Sequence, residues 1–85
     1  MGIFSKLPIF GDEAVAKGTR KAMLGSYNGI KNINPGLPES HYLRLALSRR
    51  YRNWSEIQLE SFIMDCYSIE DLIEKIIFQE KNRLI

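Results

Sequence analysis

The sequence predicts an all-α fold: a small bundle of three to four helices with an apolar N-terminal arm. Three observations predict it. Two helix-start signatures stand thirteen residues apart, at Ser55 and Ser68, apolar residues recur at helical spacing on either side of them, and the alternating pattern of a strand is weak throughout.

Residues 1–11 set Ile3, Phe4, Leu7, Ile9 and Phe10 around Pro8, which reads as an extended arm that must dock on the helices or fray. Asp12 is placed to cap a first helix over 12–29, with Glu13 in its opening turn. Val15, Thr19, Met23, Ser26, Tyr27 and Ile30 share one side of it. Ala14, Gly18, Ala22, Gly25 and Gly29 form an adjacent stripe of small residues that would suit a closely packed neighbour. Interior glycines cost about 1 kcal/mol each against alanine, so the helix is expected to end between Gly25 and Gly29. Residues 30–37, with Asn34-Pro35-Gly36, form the loop and the natural hinge of the chain.

Pro38 then opens a second helix over 38–51, where its missing donor costs nothing and Glu39 complements the positive end of the helix dipole. Leu43, Ala46 and Leu47 point one way with Arg50 at their border, and Tyr51 continues the face. His41, Arg44, Ser48 and Arg52 point the other way with Arg49 close by, a strip that is positive along most of its length. Ser55 with Gln58 three residues on is a capping box, and Trp54 with Leu59 is its hydrophobic staple, starting a third helix over 55–66. Leu59, Phe62, Ile63 and Cys66 make its core face. Ile57 and Met64 make a second apolar side, which predicts a central helix sandwiched between neighbours, or one that lends that side to a partner. Ser68 repeats the start signal with Asp71, Tyr67 and Leu72, opening a fourth helix over 68–83. Its stripe is Ile69, Leu72, Ile73, Ile76, Ile77 and Leu84, its outer side holds an i,i+4 pair of Asp71 and Lys75, and Phe78 points away from the stripe.

Composition bounds the function. Eighty-five residues suit one domain with a modest core, and 45% apolar with 26% charged residues is ordinary for a globular chain. Apolar runs are only a few residues long, and the first ten residues lack both a secretory pattern and the acceptor serine or threonine for myristoylation at Gly2, so a soluble cytoplasmic protein is expected. Single residues Cys66 and His41 leave no internal disulfide and no thiolate metal site within one chain. No Gly-rich phosphate loop or metal-ligand spacing is present, and the carboxylates fall on outer helix faces. An enzyme, a metal, a cofactor and a small-molecule substrate are therefore not expected.

Charge is divided along the chain. Residues 1–54 hold nine Lys or Arg against three acids, and 55–85 hold three against seven, balances of +6 and −4. The arginine strip Arg44, Arg49 and Arg52 is the one place where a nucleic acid would be contacted, with Lys17, Arg20 and Lys21 adding charge. A helix-turn-helix reading fails, because the would-be recognition helix opens with Glu56 and Glu60. The stronger expectation is a regulatory module that binds a protein partner or a second copy of itself through residues a small monomer has difficulty burying. These are Ile57, Met64 and Phe78, with Tyr42 and Tyr51 beside arginines.

Overall fold

The computed structural model describes the backbone of residues 2–82 and the side chains of residues 15–82. Four helices follow in chain order: α1 (Gly2–Ile33), α2 (Glu39–Arg50), α3 (Glu56–Ile63) and α4 (Ile69–Lys81), with no strand among the described residues. The all-α bundle is as the sequence predicts. α1 packs on α2 and α4, and α3 packs chiefly on α2. The core between them is Met23, Tyr27 and Ile30 of α1, Leu43, Ala46 and Leu47 of α2, Leu59 and Ile63 of α3, and Leu72, Ile73 and Ile76 of α4. A 32-residue helix is about 48 Å long at 1.5 Å per residue, which accounts for the 51 Å long axis of the molecule.

Several boundaries differ from the sequence reading. The backbone of 2–11 is helical and continuous with 12–33, so the predicted extended arm is corrected, and Asp12 lies inside a helix instead of capping one. Ile3, Leu7 and Phe10 recur at helical spacing, a signal that Pro8 obscured. The predicted stop at Gly25–Gly29 is also corrected. Tyr27 and Ile30 are buried beyond the first of these glycines, and burying a large apolar side chain is worth about 1.5–3 kcal/mol, more than a glycine costs. The helix ends instead at Asn34, whose N–H still donates to the Ile30 carbonyl (2.9 Å), and Gly36 then turns the chain at φ +92°, a conformation L side chains rarely adopt.

The glycines of the small-residue stripe have no close neighbour among the described residues. A Cβ added at Gly18, Gly25 or Gly29 would meet nothing within 4 Å. Gly25→Ala should therefore stabilise the protein by about 0.5–1 kcal/mol through the lost freedom of the unfolded chain. A thermal melt checks this: the midpoint should rise by several degrees, and a fall would mean that the stripe does pack on something.

The loop 34–38 is latched rather than free to hinge. Tyr42, only 2% exposed, donates its hydroxyl hydrogen to the Asn34 carbonyl and accepts from the Leu37 N–H (3.0 Å), while its ring meets Tyr27 edge-on at 6.0 Å. Tyr27 in turn donates to Glu39 in the first turn of α2.

α3 begins as predicted. Ser55 Oγ accepts from the Gln58 N–H (3.2 Å) and Gln58 Oε1 accepts from the Ser55 N–H (2.9 Å), a closed capping box. Ser55→Ala removes it and should cost about 1 kcal/mol, read as a lower urea midpoint at unchanged slope. The helix stops at Ile63, three residues short of expectation. Lys75 Nζ donates to the Phe62 carbonyl (2.6 Å), and the Cys66 N–H turns to the Ile63 carbonyl (2.9 Å) instead of continuing the ladder. α3 has no basic residue in its own last turn, so Lys75 of α4 supplies the cation that a helix C-terminus favours. The same ammonium pairs with Asp65 (2.9 Å), which corrects the predicted pairing with Asp71. Asp71 instead accepts from the Tyr67 N–H (2.9 Å), while its own N–H donates to Ser68 Oγ (3.2 Å) and caps α4. α4 ends at Lys81, two residues before the predicted limit, and Leu84 lies outside the described residues.

Candidate functional site

Two ion-pair clusters join the basic and acidic parts of the sequence, and a third lies within the acidic part. Arg20 bridges Glu70 (2.6 Å) and Glu74 (2.8 Å), so α1 and α4 are joined across their outer edge. Arg50 forks onto both oxygens of Glu80 (2.7 Å each) and reaches Thr19 Oγ1 (3.2 Å), and Tyr51 donates its hydroxyl to the same carboxylate. That guanidinium holds the Glu80 carboxyl below its usual range, and burial with the carboxylate contact pushes the Tyr51 hydroxyl up. Lys75 does likewise for Asp65, pulling its carboxyl down. Arg20, counted from sequence among residues near a phosphate contact, is thereby occupied.

Arg44, Arg49 and Arg52 are not. No ion pair or hydrogen bond to their side chains occurs among the described residues; Arg49 and Arg52 are exposed, and Arg44 is half-buried. Arg44 stands with Ser40 and His41 on the α2 wall of an open groove of about 460 Å³ whose other wall is Glu56 and Glu60 of α3. Ile63, Met64, Cys66 and Tyr67 complete the lining. Ser55 sets where α3 starts, and hence the phase that points Glu56 and Glu60 toward α2.

The five residues expected to bind a partner do not form one patch. Tyr42 lies in the core, which corrects its assignment to a surface. Tyr51 is half-buried, stacked on Trp54 (centroids 4.4 Å, planes 13° apart) and bonded to Glu80, so its aromatic face and hydroxyl are both used internally. Trp54 in turn meets Phe62 edge-on (5.4 Å). Ile57 (77% exposed) in α3 and Met64 (74%) at its C-cap do lie open, seven residues apart on the same side. The predicted sandwiching of α3 is corrected on the same observation, since its second apolar side has no cover among the described residues. Phe78 (59%) is open too, but on α4, in a separate shallow depression with Asp71, Glu74 and Lys75.

Sequence reasoning missed Tyr67, which is 82% exposed and borders both the α2–α3 groove and the Phe78 depression. Its position before Ser68 predicts a staple on Leu72; Leu72 is fully buried while Tyr67 stands open. The burial of Cys66 was legible; that it leaves its neighbour Tyr67 outside was the consequence not read from it.

No group of three or more His, Cys, Asp or Glu among the described residues could hold a metal ion, and no described helix is long and apolar enough to cross a membrane. Compared with known protein families, curated proteins and solved structures, the chain matches none.

Proposed function

We propose that this protein is a non-enzymatic interaction module of the cytoplasm, regulatory in role, that docks a protein through the outer face of α3 and the turn leading to α4. The observation that carries this reading is the exposure of Ile57, Met64 and Tyr67 beside a core that is closed without them. Met64 and Tyr67 line the α2–α3 groove, while Ile57 lines a separate depression with Trp54 and Phe62, and its spacing puts it on the same helix side as Met64. Large apolar side chains gathered on one side are characteristic of contact surfaces, while scattered single ones are not. A non-enzymatic role is supported by where the perturbed groups sit. Glu80, Arg50 and Tyr51 are satisfied by one another, and burial raises the Cys66 thiol away from the reactive thiolate. A free thiol held in the core also suits a reducing compartment.

The test is the mass of the assembly in extracts of the cells that make the protein, for wild type and for Ile57→Asp/Met64→Asp. Wild type should sediment in an assembly heavier than one chain, and the variant as a single chain with an unchanged melt. A lone wild-type chain in the extract overturns the reading.

One observation favours a second reading, a nucleic-acid-binding regulator: Arg44, Arg49 and Arg52 lack carboxylate partners where Arg20 and Arg50 have them. Glu56 and Glu60 across the groove from Arg44 oppose it, since they repel phosphate. If a duplex is bound, the Arg44→Ala/Arg49→Ala/Arg52→Ala variant should lose most affinity and flatten the salt dependence by about 0.9 per lost phosphate contact. Binding unchanged by the variant excludes this face.

A further inference from the structure

The α2–α3 groove has walls of opposite sign that do not neutralise each other. His41 and Arg44 line one wall and Glu56 and Glu60 the other, yet Arg44 forms no ion pair, while Arg20, Arg50 and Lys75 in the same molecule each find a carboxylate. A space of about 460 Å³ lies between the walls, lined also by the exposed Met64 and Tyr67.

A two-fold axis running along such a groove places the left wall of one copy against the right wall of the other. Resting on the docking reading above, we infer that the groove is closed over by the same groove of a second copy of this chain related by that axis. The Arg44 wall of each copy faces the Glu56–Glu60 wall of its mate, and Met64 and Tyr67 of both copies pack across the axis. The groove is self-complementary under this one operation, which is what an isologous interface requires. An axis across the groove would set arginine against arginine. A net charge of only +2 adds little long-range repulsion between copies. The closed pair would also cover both Met64 side chains, exposed in the single chain.

Charge reversal tests this with the purified 85-residue chain alone. In sedimentation at tens of micromolar, wild type should show a concentration-dependent mass of twice 9.9 kDa. Arg44→Glu makes both walls of a groove acidic and Glu60→Arg makes them more basic, so each variant alone should dimerise at least about tenfold more weakly. Mixed one to one, the two variants should restore the dimer, because an acidic groove then faces a basic one. Met64→Ser, at an exposed position, should weaken the dimer, while its melt extrapolated to dilution, where both proteins are single chains, should match wild type. The inference is overturned if purified wild type stays at single-chain mass, or if either charge variant dimerises as wild type does. It is also overturned if the mixture of two folded variants fails to pair. A single-chain mass for the pure protein, with a heavy assembly still present in the cell extract, removes the second copy and leaves the docking surface standing.

Discussion

Ile76→Ala is expected to destabilise the protein by about 4 kcal/mol, toward the upper end of the 2–5 kcal/mol seen when a buried aliphatic side chain is truncated. Ile76 is fully enclosed, as are Leu72 and Ile73 on the same helix and Ala46 and Leu47 on α2. With neighbours already packed to contact, the cavity has few routes by which to collapse. An 85-residue domain is stable by only about 4–13 kcal/mol at typical values per residue. The variant should therefore melt at least about 15 °C lower, or be partly unfolded at ambient temperature. Urea denaturation checks this against Ile57→Ala, which removes a comparable side chain from an exposed position and should change stability by less than about 0.5 kcal/mol. Equal effects at the two sites would contradict the packing described for α3 and α4.

Arg50→Ala is expected to cost about 2 kcal/mol. The Arg50 and Glu80 side chains keep 27% and 23% of their surface exposed, so the loss should fall below the 3–5 kcal/mol of a fully enclosed pair while exceeding that of a surface bridge. Most of the cost lies in what is left behind: a carboxylate stripped of its fork, with Tyr51 still donating to it. Removing both ends in Arg50→Met/Glu80→Leu should recover much of the loss, because no unpaired charge remains.

The same site contributes to both limbs of the pH profile, alongside Asp65 on the acid side and Tyr27 and Cys66 on the alkaline side. Glu80 has a lowered folded pKa, so its contribution is complete above the ordinary glutamate range near pH 4.5 and is lost as pH falls through the folded value. Tyr51 has a raised one, so its contribution is complete below pH 10 and is lost as pH rises beyond it. Denaturant midpoints measured across pH should show the acid loss shrink in Glu80→Gln and the alkaline loss shrink in Tyr51→Phe. Unchanged limbs in both variants would show that the triad does not couple to folding.

Much of the bundle was legible because its signals are local. A capping box needs four consecutive residues, and Ser55 with Gln58 closes as read; the buried stripe of α4 and the inward face of α2 follow from spacing alone. What was misread depends on partners distant in sequence. Lys75 pairs with Asp65, ten residues back, because α3 ends without a cation of its own. Tyr42 looked like an interface residue beside arginines, but the loop just before it offered a carbonyl and an N–H within reach of its hydroxyl, and those draw it inward. Of the candidate surface, the exposure of Ile57, Met64 and Phe78 was legible as surplus apolar area. The groove was not, since its walls come from two helices whose separation no spacing encodes.

By itself, then, the sequence determined where α2, α3 and α4 begin and which of their faces are oily, because caps and periodicity act over one or two helical turns. The tertiary structure decided which oily side is covered, which charges are satisfied and how far α1 runs. Those outcomes turn on competition between burial and local cost: Tyr27 and Ile30 carry α1 past its glycines, and α3, packed chiefly on α2, leaves Ile57 and Met64 facing out.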